Sequence, residues 1–89
     1  MAKREIGRVR IRVLLFARYA EVVGTEACDM AMPAGATVSD ALAELRALHP
    51  SAAGLPQRPL CARNQAQVSL EDRLSDGDEL ALLPPLAGG

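Results

Sequence analysis

Residues 76–89 read DGDELALLPPLAGG, and this stretch joins a turn, a strand and a tail. The acidic residues around Gly77 are typical of a turn. The alternation of residues 79–83 then predicts a strand. Proline lacks a backbone N–H and pushes the preceding residue towards extended backbone, so Pro84 and Pro85 end the strand and exclude a helix. The chain must therefore leave the folded body as an extended tail.

The tail ends in Gly88 and Gly89, and we expect it to present a free α-carboxyl group. When fully extended, residues 84–89 reach at most about 20 Å, which is enough to enter a cleft in another protein. Glycine has no Cβ, so the last two residues need only a narrow channel. The alternative is an ordinary frayed C-terminus, because two terminal glycines alone do not establish a function.

The length of 89 residues allows one domain with a single small core. Such a chain is too short for that core together with an enclosed substrate cavity, so we do not expect a self-sufficient enzyme. Hydrophobic residues make up 49% of the chain and charged residues 24%. This is ordinary globular composition, and it predicts that the chain folds.

Charge is distributed unevenly along the chain. Residues 1–12 contain five of the ten basic residues and one of the eleven acidic residues, so the remainder has a net charge of −5. An acidic body argues against wrapping a nucleic-acid backbone. Phe16 and Tyr19, the two aromatic residues, cannot form a stacking platform for bases. We therefore expect no nucleic-acid partner.

Two further classes are disfavoured by simple features of the sequence. No segment approaches the length of a membrane span, and the apolar run 13–17 is too short for the core of a signal peptide. Cys28 and Cys61 lie far apart without His or Cys at ligand spacing, which indicates neither a metal site nor a disulfide framework. We expect both thiols to be buried apolar groups in a reducing cytoplasm.

The first predicted strand runs over residues 8–17. One face is apolar throughout and carries Val9, Ile11, Val13 and Leu15. The other face changes from arginine at positions 8, 10 and 12 to Leu14 and Phe16. A purely solvated face has no reason to change in this way, so the apolar end marks a candidate contact surface. The arginines could meet an acidic partner or a nucleotide phosphate, although a solvated strand face that resists aggregation is favoured.

The remaining pattern predicts one main helix and three further strands. Residues 18–24 are interpreted as a connecting segment, and Met30 and Met32 belong to a second strand. Thr37 and Asp40 resemble a capping box, and an apolar stripe follows that ends before Pro50. The stripe consists of Val38, Ala41, Leu42, Leu45 and Leu48. After a loop over residues 50–59, residues 60–68 predict a short hairpin that turns at Asn64-Gln65. Residues 70–74 then predict a helical turn.

This order of elements predicts an α+β fold of the ubiquitin-like β-grasp type. The first and last strands would pair in parallel at the centre of a mixed sheet, and the main helix would cover one face. Phe16 and Leu83 would then lie close together on the uncovered face, at the root of the tail. The predicted division is a flexible basic lead-in over residues 1–8, a β-grasp domain over residues 9–83 and a free extended tail over residues 84–89.

Several motifs together resemble the small, sulfur-carrying subunit of molybdopterin synthase. They are residues 13–18 (VLLFAR), 37–42 (TVSDAL), 64–65 (NQ), 74–80 (LSDGDEL) and 83–89 (LPPLAGG). The resemblance covers about residues 9–89. Its most specific part is the block 76–89, because an Asp-Gly turn, a strand, a Pro-Pro pair and a terminal Gly-Gly pair follow one another in this order.

The resemblance implies chemistry at the carboxyl group of Gly89. An α-carboxyl group has a pKa of about 3.5 and is an anion at neutral pH, so it cannot accept sulfur without activation. The family implies that an adenylating enzyme of the ubiquitin-activating type forms an acyl-adenylate, which a persulfide sulfur donor converts to a thiocarboxylate. That sulfur would enter a pterin precursor to form the molybdopterin dithiolene in molybdenum cofactor biosynthesis. We expect no tightly bound cofactor or metal, only these transient C-terminal species.

The resemblance also implies a division of labour between subunits. The large catalytic subunit of molybdopterin synthase would hold the catalytic residues and join this chain in a heterotetramer, so this chain is not expected to be an enzyme on its own. Gly88 would give passage through the partner's channel. The expected partner-binding residues are Phe16, Leu83, Pro84, Pro85, Leu86 and Ala87. For Phe16 the alternative is a structural position, half buried under residues 18–24.

Two other functions share the same sequence features. One is a sulfur carrier for another pathway, such as thiamine thiazole formation, tRNA thiolation or cysteine synthesis. The other is a ubiquitin-like interaction module or protein modifier that carries no sulfur.

Two sets of polar residues are expected to have no catalytic or metal-binding role. His49 is expected to be an exposed residue at a helix end, favoured there by the helix dipole. The acidic residues at 76, 78 and 79 are expected to form a solvated turn.

Overall fold

The computed structural model describes residues 7–85, so the predictions for residues 1–6 and 86–89 lie outside it. This part of the chain contains five strands, two α-helices and one 3₁₀ helix. In chain order they are β1 (Arg8–Leu15), α1 (Arg18–Val23), β2 (Ala27–Pro33), α2 (Val38–Leu48), a 3₁₀ helix (Pro50–Gly54), β3 (Leu60–Arg63), β4 (Ala66–Val68) and β5 (Glu79–Leu83). β1 already includes Arg8, one residue before the predicted domain boundary.

The five strands form one mixed sheet in the order β2-β1-β5-β3-β4. β1 and β5 are parallel, with Val13 level with Leu80, and the other neighbours are antiparallel. The predicted parallel pairing of the first and last strands is therefore confirmed. A mixed sheet with one main helix is the predicted α+β β-grasp fold.

The core forms between α2 and one face of the sheet. Val13, Leu80 and Leu82 are at most 1% exposed, and the buried residues of β1 are the four that the alternation selects. Burying a side chain of this size contributes about 1.5–3 kcal/mol. The hydrophobic effect therefore fixes which face of each strand points inward.

The capping box at the start of α2 is confirmed, with Asp in the position that Glu usually occupies. The main-chain N–H of Asp40 donates to Oγ1 of Thr37 (3.1 Å), and the main-chain N–H of Thr37 donates to Oδ2 of Asp40 (2.9 Å). The predicted apolar stripe is wrong at Leu48, which is 52% exposed. α2 ends there, and Ala52 and Leu55 from the following segment close the core in its place.

Two local predictions are corrected by the structure. Residues 18–24 are not a simple connection but contain α1, which buries Tyr19 and Val23 and ends at Gly24 with φ of 95°. Six helical residues are too few to show a helical period. Residues 70–74 do not form a helical turn. The N–H of Asp72 instead closes a turn on the carbonyl of Ser69 (3.1 Å), and Arg73 forms an isolated bridge with Thr37.

The β3–β4 hairpin turns where the sequence predicts. Asn64 has φ of 50° and Gln65 has φ of 74°, which is the pair of left-handed conformations that a two-residue hairpin turn requires. The acidic turn before β5 is also confirmed, and Gly77 has φ of 87° there. Within residues 7–85 no helix has the length and apolar character needed to span a membrane.

The two cysteines differ in burial, although both are free thiols. Cys61 is 1% exposed, and burial raises its pKa to about 11. Cys28 is only half-buried, which corrects the prediction that both are core residues. It lies near the start of the edge strand β2, at the margin of the core. Burial, followed by the neighbouring Asp29 carboxylate, raises the pKa of Cys28 as well.

Candidate functional site

An apolar surface lies on the uncovered face of the sheet, at the root of the tail. We call it the apolar patch, and it consists of Phe16, Leu60, Leu83, Pro84 and Pro85. These residues line a shallow groove of about 630 Å³, together with Ala17 and Arg18. Phe16 and Leu60 are each 46% exposed. Large apolar side chains that cluster while exposed mark sites of protein interaction.

The strand register explains why these residues meet. The parallel pairing of β1 and β5 places Leu15 level with Leu82, so Phe16 follows β1 where Leu83 ends β5. β3 runs antiparallel to β5 and brings Leu60 level with Leu83. Segments that are far apart in the sequence therefore converge at the carboxyl end of β5, where the tail begins. The predicted proximity of Phe16 and Leu83 is confirmed by this arrangement.

Phe16 lies on the outer surface with 46% of its surface exposed, and it also lines a second groove with Ala20 and Glu21 of α1. Its carbonyl accepts the main-chain N–H of Tyr19 (3.0 Å), which starts the turn into α1. Ala17 between them has φ of 50° and ψ of −129°, a conformation with positive φ that an L-residue seldom adopts. This bend redirects the backbone after β1, so Tyr19 enters the core while the Phe16 side chain stays outside.

Leu60 is a member of the patch that sequence reasoning missed. The pattern places it at the start of a short hairpin, and its alternation with the buried Cys61 assigns it to the outer face. The sequence carries no signal for the neighbouring strand, because alternation defines a face but not a partner. Only the register of β3 against β5 reveals that Leu60 lies beside Leu83.

A polar network holds the opposite end of β5. Asp78 is only 8% exposed, which corrects the expectation of a fully solvated turn. Its carboxylate accepts the main-chain N–H of Ser75 (2.7 Å) and Nδ2 of Asn64 (2.9 Å). Oδ1 of Asn64 in turn accepts the main-chain N–H of Glu79 (2.9 Å). The hairpin turn and the start of β5 are thereby locked together.

The outer face changes from charged to apolar along the sheet. Arg12 pairs with Asp29 at 3.0 Å and lies level with Glu79 on β5. Oδ1 of Asp76 accepts the main-chain N–H of Arg10 (2.7 Å). The arginine strip is thus interleaved with carboxylates at this end, while the end near the tail is apolar.

The tail itself is described only at its root. Pro84 is half-buried against the body and Pro85 is exposed, without helical structure at either residue. Both prolines line the groove of the apolar patch. Leu86, Ala87, Gly88 and Gly89 lie outside the described residues, so their predicted roles stay predictions. His49, predicted to be exposed at a helix end, is half-buried and caps α2.

A family model describes most of this chain. The ThiS family matches residues 13–89, a range that includes β1 from Val13 onward, the apolar patch and the terminal glycine. The chain belongs to the ThiS family. The resemblance stated from the motifs is thus confirmed at the level of the family, and the family match extends to the predicted sulfur-bearing residue.

Several relatives of this ThiS-family chain share one name, whereas another, 36% identical over 84% of this chain and 95% of that protein, is the small archaeal modifier protein 1 of Haloferax volcanii. This chain is 39% identical to the molybdopterin synthase sulfur carrier subunit of Chlamydomonas reinhardtii, over 91% of this chain and 100% of that protein. It is also 39% identical to the protein of the same name from Escherichia coli K12, over 89% of this chain and 99% of that protein. The similarity spans nearly the whole of each relative.

Solved structures show the same fold. The crystal structure of the small archaeal modifier protein 1 of Haloferax volcanii superposes with a TM-score of 0.77 at 32% identity, and the match covers 88% of this chain and 99% of that chain. At 18% identity, a ubiquitin from Caldiarchaeum subterraneum matches with a TM-score of 0.61, which supports the ubiquitin-like fold alone.

Proposed function

We propose that this chain is the sulfur-carrying subunit of a molybdopterin synthase. The carboxylate of Gly89 is adenylated, converted to a thiocarboxylate and used as the sulfur donor for the molybdopterin dithiolene. The chain is a sulfur-donating subunit of a sulfurtransferase complex and supplies no catalytic side chains of its own. It works in the cytoplasm with ATP and reduced thiols.

The observation that carries the proposal is the family match that extends to Gly89, together with relatives of matching length that are named as sulfur carriers. The geometry supports it independently. An apolar patch surrounds the root of the tail, so a partner that covers the patch receives the tail in its own cleft. A carrier needs both features, because the carboxyl group must reach an active site that belongs to another protein.

The chemistry follows from the electronic state of the carboxylate. One oxygen attacks the α-phosphorus of ATP, and pyrophosphate leaves. The terminal sulfur of a donor persulfide attacks the activated carbonyl carbon, and AMP leaves with the electron pair of the broken C–O bond. A thiol of the donor then cleaves the S–S bond, which leaves a thiocarboxylate on Gly89 and a disulfide on the donor.

Two partners are needed at different stages. An adenylating enzyme of the ubiquitin-activating type handles the first step, and the large synthase subunit uses the thiocarboxylate. A dithiolene contains two sulfur atoms and each Gly89 carries one, so two carriers are consumed for each product. A heterotetramer with two copies of each subunit fits this stoichiometry. The partner-binding residues are those of the apolar patch with Leu86 and Ala87, and Gly88 passes through the channel.

The test is the mass of the C-terminal peptide. The purified chain is incubated with the adenylating enzyme, ATP and a persulfide donor, and we expect a species heavier by the difference between sulfur and oxygen, located on the peptide that contains Gly89. Deletion of Gly89, or extension by one residue, should abolish sulfur transfer to the pterin precursor while the circular dichroism spectrum stays unchanged. Retained transfer by either variant would refute the proposal.

A second candidate is a protein modifier, favoured by the similarity to the small archaeal modifier protein 1. In that case a lysine amine attacks the activated carbonyl carbon, AMP leaves with the electron pair of the broken C–O bond, the nitrogen loses a proton, and an isopeptide bond forms. Cell extracts would then contain covalent conjugates of this chain that survive denaturation and reduction. A carrier that serves another pathway would form the thiocarboxylate but would fail to copurify with a large synthase subunit.

A further inference from the structure

Arg18 is the charged residue in the groove of the apolar patch. The other lining residues are Phe16, Ala17, Leu60, Leu83 and the two prolines, none of which bears a charge. Arg18 is exposed and is the first residue of α1. The N-terminal end of a helix carries partial positive charge, so the helix dipole does not stabilise the positive charge of Arg18 at this position.

The Arg18 guanidinium has no ionic partner among the described residues. The ion pairs within residues 7–85 are Arg12 with Asp29 and Arg58 with Glu71. Glu21 follows three residues later, a spacing that permits a pair on a helix. It instead lines a separate groove with Leu14 and Ala27, on the other side of Phe16. Within the described part of the chain, therefore, no carboxylate neutralises the charge of Arg18.

This arrangement becomes costly when the apolar patch is covered. A partner that packs on Phe16 and Leu60 removes water from the groove, and an unpaired charge that loses its water is strongly destabilising. A guanidinium tolerates such burial when a carboxylate accepts two parallel N–H bonds from it. The patch is thus complementary to a surface that combines apolar side chains with one carboxylate.

We propose that the large synthase subunit presents a carboxylate side chain to Arg18 where it covers the apolar patch. Apolar contact with Phe16, Leu60 and Leu83 supplies the buried contact area. The ion pair between Arg18 and the carboxylate fixes the orientation in which the tail enters the cleft. Arg18 is therefore a specificity-determining residue for the partner. This inference rests on the proposed function, because it assumes that the same subunit receives the tail.

The experiment measures the dissociation constant of the purified large subunit from the same organism for three variants of the full chain. Arg18→Gln is expected to weaken binding by about 30-fold or more, mainly through faster dissociation, as for a buried charge pair. Arg18→Lys should fall between it and the wild type, because an ammonium keeps the charge but loses the bidentate geometry. Arg46→Gln is the matched control, since Arg46 lies on α2 and bonds the carbonyl of Pro56.

Each outcome separates this inference from the proposed function. If the wild type does not bind the large subunit at all, the proposed function fails. If the wild type binds and Arg18→Gln binds within threefold of it, the Arg18 inference alone is overturned. A further variant, the full chain with its C-terminal carboxyl group amidated, tests whether the carboxylate belongs to the tail itself. Loss of the Arg18→Gln effect in that amidated chain would assign the carboxylate to Gly89 and would also overturn the inference.

Discussion

The most informative perturbation of the fold is Asp78→Ala, because Asp78 anchors the strand that leads into the tail. Its carboxylate accepts N–H groups from Ser75 and Asn64 at 2.7 and 2.9 Å, and the residue is 8% exposed. A hydrogen bond to a charged group contributes about 1.5–3 kcal/mol. Losing two such bonds leaves two donors unsatisfied, so we expect the free energy of unfolding to fall by about 3 kcal/mol. Total stability is only about 5–15 kcal/mol for a domain, so this is a large fraction.

The assay is urea denaturation followed by circular dichroism at neutral pH. Asp78→Ala should lower the midpoint without a change in the slope of free energy against urea, and the melting temperature should fall by more than about 10 °C. Asp78→Asn should lose about half as much, because its side chain keeps one acceptor oxygen. Glu71→Ala is the matched control, since it removes an exposed carboxylate whose ion pair is 3.6 Å long. A loss in Asp78→Ala no larger than in this control would refute the reasoning.

Three other predictions concern the turn, the buried thiol and the apolar patch. Asn64→Ala should be less stable than Asn64→Gly by about 1 kcal/mol in urea denaturation, because both lose the side-chain bonds but only alanine resists the φ of 50°; equal stability would contradict this. Burial raises the pKa of Cys61 to about 11 from its ordinary value of 9.0, so the unfolded thiol ionises first and stability should fall as pH rises from about 9 to 11. A urea midpoint that stays constant across this range would be evidence against that burial. Phe16→Ala should weaken binding of the large subunit by about tenfold or more, as expected of an aromatic anchor. Leu48→Ala, the control at another exposed apolar residue, should change binding less than twofold. Equal effects of the two substitutions would show that the apolar patch is not part of the interface.

Several features of the fold could be predicted from the sequence because they depend on residues that lie close together in the chain. The alternation of Val9, Ile11, Val13 and Leu15 defines an inward face without knowledge of any neighbour. The capping box of Thr37 and Asp40 can be predicted in the same way, since its two residues lie three positions apart in the sequence. Such signals depend on contacts within a few residues of the chain.

Features that depend on register were not accessible in the same way. Leu60 joins the apolar patch only because β3 pairs with β5, and the carboxylate of Asp78 receives a bond from Asn64 only because the hairpin turn comes alongside it. A carboxylate beside Gly77 has the local pattern of a solvated turn. Its bond from Ser75 is local, but nothing nearby in the sequence indicates the bond from Asn64. Leu48 shows the opposite error, since its helical spacing is correct but the core ends before it.

The position of the apolar patch is a consequence of the topology. Because β1 and β5 are parallel, their carboxyl ends lie at the same end of the sheet. β3 is antiparallel to β5, so its first residue, Leu60, also lies at that end. Any apolar residue at these strand ends is therefore brought to the root of whatever follows β5. The hydrogen bonds of Asp78 hold the start of β5, at the opposite end of the strand from the groove. A partner can thus engage the tail and the patch while the anchor of the strand stays intact, which predicts that variants of Asp78 alter stability and variants of Phe16 alter binding.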